Sequence, residues 1–206
     1  IEIEAHSGHF NRYYRSRSNW LRIHESRGDS TPVLEGSLLA WKQEALGPFK
    51  INENMNADDA QIGLQAIRRG FRAIVDSRIT FAGFEQKSRT LNESIRRSQG
   101  LSIALMRNAD LIFSAPRNKA KAAIFNALIL YVMFPWLLLL FAINSIVAFS
   151  MEPIMTQSWQ AYSLASILAV SLSPQGRSMI LGSAISIRAH VQLLLGKRYN
   201  SWEPIR

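Results

Sequence analysis

Asp58 and Asp59 are the paired carboxylates with the clearest chemical potential in the sequence. They follow Asn56 at what reads as the start of a helix, where an exposed Asp can act as general base toward a hydroxyl. The same position suits a carboxylate that only complements the helix dipole. Further along, Glu93 stands three residues before the adjacent Arg96 and Arg97. Guanidinium forks match phosphate oxygens, so this pair could hold a pyrophosphate; it could equally form a solvated basic face or meet lipid headgroups. With no Cys in the chain, disulfides, thiolate zinc sites and Cys nucleophiles are excluded. His6, His9, His24 and His190 are too scattered to suggest a metal site. No phosphate-binding P-loop, dinucleotide-binding or nucleophile-elbow motif occurs.

The elements that must position these residues read as follows. Residues 11–25 form a basic, aromatic-bearing helix ended by Gly28-Asp29-Ser30 and Pro32. Asn56 is the expected N-cap of a helix that carries Ile62, Leu64, Ala66 and Ile67 and stops at Arg68-Arg69-Gly70. Residues 71–75 and 78–84 have strand-like composition, with Asp76-Ser77 turning between them. Thr90-Leu91-Asn92-Glu93 matches a capping box and opens a second helix running to about Arg107.

Residues 122–151 contain no charged residue and no His. About 20 apolar residues suffice to cross the hydrocarbon core, so this run predicts a membrane span with a kink at Pro135. Arg117, Lys119 and Lys121 precede it, whereas Glu152 follows it, which places the N-terminal half in the cytoplasm. A weaker Ser-rich stretch at 158–173 predicts a second span, broken by Pro174-Gln175-Gly176-Arg177. A last helix, 178–196, contains Arg188 and His190 and suits the membrane interface or a third span. Across the 206 residues, Lys and Arg outnumber Asp and Glu by 24 to 15. Beside a span, that surplus fits orientation and anionic lipid better than nucleic acid.

The order of these features resembles the C-terminal half of membrane-bound family 2 glycosyltransferases of the GT-A type. The family's acceptor-side (T/E)-(E/D)-D motif is matched by Ala57-Asp58-Asp59. Its R-x-G-(Y/F)-(R/K) helix end is matched by Arg68-Arg69-Gly70-Phe71-Arg72, and the loop and strand before the acceptor motif by Leu34-Glu35-Gly36-Ser37. At the place of the family's Q-x-x-R-W stands Glu93-Ser94-Ile95-Arg96-Arg97. Arg96 keeps the Arg, while Glu93 and Arg97 replace Gln and Trp, which argues against a processive, cellulose-synthase-like polymerase. The resemblance implies Asp59 as general base supported by Asp58. It implies that Arg96, Arg97 and Glu93 face the nucleotide diphosphate or acceptor.

The expected fold class is therefore α+β: a mainly helical part of a GT-A domain over 1–116, then a membrane domain over 117–206. The resemblance implies transfer, with inversion, from a nucleotide-sugar to a lipid-linked or polysaccharide acceptor at the cell membrane. No D-x-D occurs in the chain. A divalent cation, Mg or Mn, is expected for the full-length parent, with its ligands in a donor half upstream of Ile1. Because it opens on Ile1, the chain is expected to be a fragment or processed product, inactive by itself. The competing expectation is a non-enzymatic membrane accessory or scaffold protein with a basic cytosolic domain.

Overall fold

A computed structural model describes residues 9–34, 36, 38–52, 55–79, 91–151, 162, 165, 166, 169, 170 and 172–199. Helix α1 (His9–Gly28) is followed by the single-turn α2 (Gln43–Leu46), α3 (Asp58–Arg68), α4 (Leu91–Arg107) and the short α5 (Leu111–Ser114). Then come α6 (Asn118–Leu128), a π-helical turn (Ile129–Met133), α7 (Phe134–Met151) and α8 (Pro174–Leu194).

Leu64 and Ile67 of α3, Leu105 of α4, Leu111 of α5 and Ile124 of α6 meet in one buried core. Each comes from the apolar stripe of an otherwise polar helix, the pattern that packs helices face to face. Helix α3 ends as the sequence predicts. Gly70 (φ 86°) donates its N–H to Ile67 O at 3.0 Å, and Phe71 N–H reaches Ala66 O at 2.9 Å. These two bonds form a Schellman cap, which needs a residue comfortable in the left-handed region.

The strand expectation is not met over 71–75. No strand occurs among the described residues, and 71–75 run as an extended segment without a β partner; 80–84 lie outside them. The neighbour of 71–75 is the end of α1 and the turn after it. Ser26 Oγ accepts from Val75 N–H at 2.8 Å, Ser30 Oγ from Ala73 N–H at 3.3 Å, and Ala73 O from Thr31 N–H at 2.8 Å. Side-chain hydroxyls thus satisfy backbone groups that a ladder would otherwise pair. Asp29 secures the junction. Its buried carboxylate lies 2.9 Å from Arg117 Nε and 3.6 Å from Arg72 Nε. Arg117 also donates to Gly70 O at 2.7 Å and Phe71 O at 2.6 Å. Arg117, read from sequence as a membrane-flanking charge, is here a structural clamp, whereas Lys119 is exposed.

The apolar run differs from its expected form in two ways. Its helix starts at Asn118, and Ala120, Ala123, Ile124 and Ala127 are buried in the core. The expected disturbance at Pro135 is taken up by the π turn just before it. Proline offers no N–H and crowds the preceding turn, and a widened turn is one way for a helix to absorb this. Beyond it, Leu137, Leu140, Phe141, Ile143, Ile146 and Val147 are all exposed. Among the described residues, one helix is long and apolar enough to cross a membrane, Asn118–Val147, and only 17% of its most apolar 18-residue stretch is buried. The second predicted span, 158–173, falls largely outside the described residues. The last helix begins at Pro174, earlier than expected. Ser173, a bend after the helical residue Leu172, accepts on its Oγ from Gly176 N–H at 2.9 Å, so the Pro-Gln-Gly sequence both ends the preceding helical stretch and starts a new helix.

Candidate active site

The first turn of α3 carries Asp58 and Asp59, but Asn56 does not cap it. The N-cap is Ala57, held in the left-handed region (φ 66°) with no side-chain cap bond. Its carbonyl accepts the first helical bond, from Gln61 N–H at 3.0 Å. Asp58 is exposed and Asp59 half-buried. Asp59 Oδ1 accepts from Ala60 N–H at 2.8 Å. A Cβ placed on Gly36 would lie 3.3 Å from Asp59 Oδ2, so Gly36 lies directly beside this carboxylate.

Helix α4 packs against α3. A Cβ added to Gly100 would fall 2.7 Å from the backbone of Asn56, so residue 56 rests on bare helix backbone. Arg96 lies four residues before Gly100, which puts both on the same face of α4. Arg96 thus stands one helical turn before the contact of Gly100 with residue 56. Arg97 lies on a neighbouring row, where its guanidinium is 3.2 Å from the Glu93 carboxylate in an i,i+4 pair. Glu93 is thus engaged along its own helix. Thr90 of the predicted capping box is outside the described residues, and α4 is described from Leu91. The basic end of α3 is structural too. Arg68 makes a two-pronged pair with Asp110 at 2.6 and 2.8 Å, and Arg69 donates to Glu44 O at 3.0 Å. Hydrogen bonding from Arg68 holds the Asp110 carboxyl below its ordinary range.

Sequence reasoning missed two polar clusters on α4. Gln99 is buried: its amide N–H groups reach Ala189 O at 3.3 Å and Lys197 O at 3.1 Å, and its carbonyl accepts from Tyr199 N–H at 3.2 Å. Ser102 lies 2.8 Å from His190 Nε2, while His190 Nδ1 accepts from Trp136 Nε1 at 3.0 Å. Indole only donates, so Nδ1 carries no proton in this arrangement and the neutral ring donates from Nε2. A Gly inside an amphipathic helix was the one available signal for the first cluster. The second joins residues far apart in sequence and left no local trace.

Among the described residues, no group of three or more His, Asp or Glu side chains is placed to hold a metal ion. Asp58 and Asp59 alone do not make such a site.

The arrangement of these helices has a counterpart among solved structures. The chain is similar to the mannosyltransferase PcManGT from Pyrobaculum calidifontis, solved in complex with GDP-Man and Mn2+, with a TM-score of 0.75 and 26% identity. The fold is glycosyltransferase-like. The match covers 89% of this chain and 52% of that one, so the chain spans about half the length of the mannosyltransferase. No family model matches the chain, and no curated protein matches it. Within this glycosyltransferase-like fold, the segment leading into Asp58 and Asp59 meets α4 at Gly100.

Proposed function

We propose that this chain is the acceptor-side part of a membrane-anchored glycosyltransferase that moves a sugar from a nucleotide-sugar donor, with inversion, to a lipid-linked or polysaccharide acceptor. The observation that carries the reading is the likeness to a mannosyltransferase at 26% identity over 89% of the chain. Asp59 takes the acceptor hydroxyl proton as general base, with the exposed Asp58 beside it. Arg96, with Arg97 and Glu93 on the next row, faces the charge that develops on the leaving diphosphate, where fixed cations act most strongly. The described residues form no metal site. The Mg or Mn ion of the parent enzyme would be held by other residues.

The membrane part of the proposal rests on the helix Asn118–Val147, which is apolar and mostly unburied. Exposed Leu, Ile and Phe side chains cover a broad face of α7, while Pro135 and Ser145 are buried; an apolar face of that breadth suits lipid contact better than water. Helix α8 packs on α1, α4 and α7 and lies at the cytoplasmic membrane interface in this reading. In this reading the N-terminal helices are cytoplasmic, and a second crossing at 158–173 would make the protein multi-pass in the cell membrane.

The test uses the full-length protein with radiolabelled GDP-mannose as donor. Extracted membrane lipids and manno-oligosaccharides are offered in parallel as acceptors. Asp59→Asn is expected to lower transfer by at least about a hundredfold, in the range of lost general bases, with the unfolding midpoint retained. Near-wild-type transfer by this variant would remove Asp59 from the role of base.

A further inference from the structure

The segment that follows α8 is bound back onto the candidate site. Gly196 (φ 76°) donates to Leu193 O at 3.0 Å and Lys197 N–H to Gln192 O at 2.8 Å, a Schellman cap that turns the chain out of the helix. The turned-out residues reach α4, where Gln99 bonds both Lys197 O and Tyr199 N–H. Tyr199 O then accepts from Asn56 Nδ2 at 2.5 Å. Asn56 in turn has its backbone seated on Gly100. One residue later comes Ala57, whose left-handed conformation is set without any side-chain cap, and then Asp58 and Asp59.

An Ala at positive φ is a conformation that its own Cβ disfavours and that its surroundings must enforce. The surroundings here are the Gly100 seat and the Asn56–Tyr199 bond. We propose that residues 197–199, clamped by Gln99 and tied to Asn56, form a strap that fixes the Ala57 turn and so aims the Asp59 carboxylate. Gln99, Gly100 and Asn56 are then positioning residues that touch no substrate. Because Gln99 also bonds Ala189 O, and Ser98 Oγ lies 3.2 Å from Ser186 Oγ, the strap links the register of α4 and α8 to the direction of the base. This inference rests on the glycosyltransferase reading above.

The experiment compares three variants of the full-length protein: Asp59→Asn, Asn56→Asp and Gly100→Ala. Asn56→Asp keeps the shape but replaces the N–H that reaches Tyr199 O with a carboxylate oxygen, whose negative charge repels that carbonyl. Gly100→Ala puts a methyl into the Asn56 backbone. Transfer from GDP-mannose is resolved into kcat and donor KM, and hydrogen exchange is read at Gln61 N–H. Misplacing a reacting group by about 1 Å can cost a hundredfold, so a partly loosened base predicts a kcat loss of about tenfold or more. Asn56→Asp and Gly100→Ala are expected to show that loss with donor KM within about twofold, and with faster exchange at Gln61. An unchanged kcat in Asn56→Asp, beside an inactive Asp59→Asn, overturns the strap while leaving Asp59 as base. A loss carried by KM alone also overturns it. Full activity in Asp59→Asn overturns the base assignment and the strap together. Should Gly100→Ala fail to fold, Asn56→Asp decides the matter.

Discussion

At the scale of single residues, several arginines singled out by the sequence turn out to be committed to structure. Arg68, Arg69, Arg72 and Arg117 each hold a carboxylate or a backbone carbonyl of another segment. Asp29 is central to this set, since its buried carboxylate faces both Arg72 and Arg117. Asp29→Ala should cost about 1.5–3 kcal/mol, the usual worth of a hydrogen bond to a charged group, measured by urea unfolding. Glu25 gives a pH prediction of definite sign. Burial raises its carboxyl above the ordinary value, more than Thr31 and Arg22 lower it. The folded state therefore holds that proton more tightly than the unfolded chain does. Its stabilising effect is present below the unfolded value of about 4.3 and is lost as pH rises through the folded one. Glu25→Gln should accordingly be more stable than the parent at neutral pH, with the advantage vanishing below about pH 4, as denaturant midpoints across that range would reveal. Asp76 behaves oppositely: hydrogen bonding from Arg78 pushes it down to about 2, so its small contribution is present above the unfolded value of about 3.9 and is lost as pH falls from there through the folded one.

At the scale of elements, helix ends were well marked in sequence where a glycine had to take positive φ, and poorly marked where packing decided. Gly70 stops α3 as its position predicts, and a Cβ there would meet only Pro116 Cγ at 3.8 Å. Gly70→Ala should therefore lose about 1 kcal/mol from backbone strain alone, with no steric term, readable as a fall in the urea midpoint. Asn56 looked like a cap because its side chain suits that role, yet it is recruited by Tyr199 of the C-terminal segment. Residues 71–75 looked like a strand because their apolar side chains fit one. The edge available to them is the end of α1, where serine hydroxyls replace a β ladder. Strand preference expresses side-chain fit to a pleated surface, and no such surface adjoins this segment.

For the whole molecule, the helix Asn118–Met151 is divided between two environments. Its first turns are core, with Ile124 fully buried, and its later turns present Leu140 and Ile146 at 59% and 58% exposure. Ile143, also exposed, separates the possibilities. In water, Ile143→Arg would be harmless or mildly favourable. In lipid, Arg near the middle of a span costs about 2.5–3.5 kcal/mol. Expression of the full-length protein followed by alkaline washing of membranes should find the parent retained and the Arg variant released or depleted; equal retention of both would count against a span centred there.

The sequence by itself determined the apolar run, the amphipathic character of α3 and α4, and the order of acidic and basic motifs around them. Each of these is written in residues near one another along the chain, where periodicity, charge and turn chemistry act. The tertiary structure decided which polar residues are spoken for. It gave Arg117 to Asp29, Asn56 to Tyr199, Gln99 to the end of α8 and His190 to Trp136 and Ser102. These pairings join positions tens of residues apart. A buried polar group must find a partner wherever packing brings one, and sequence distance has no bearing on that choice.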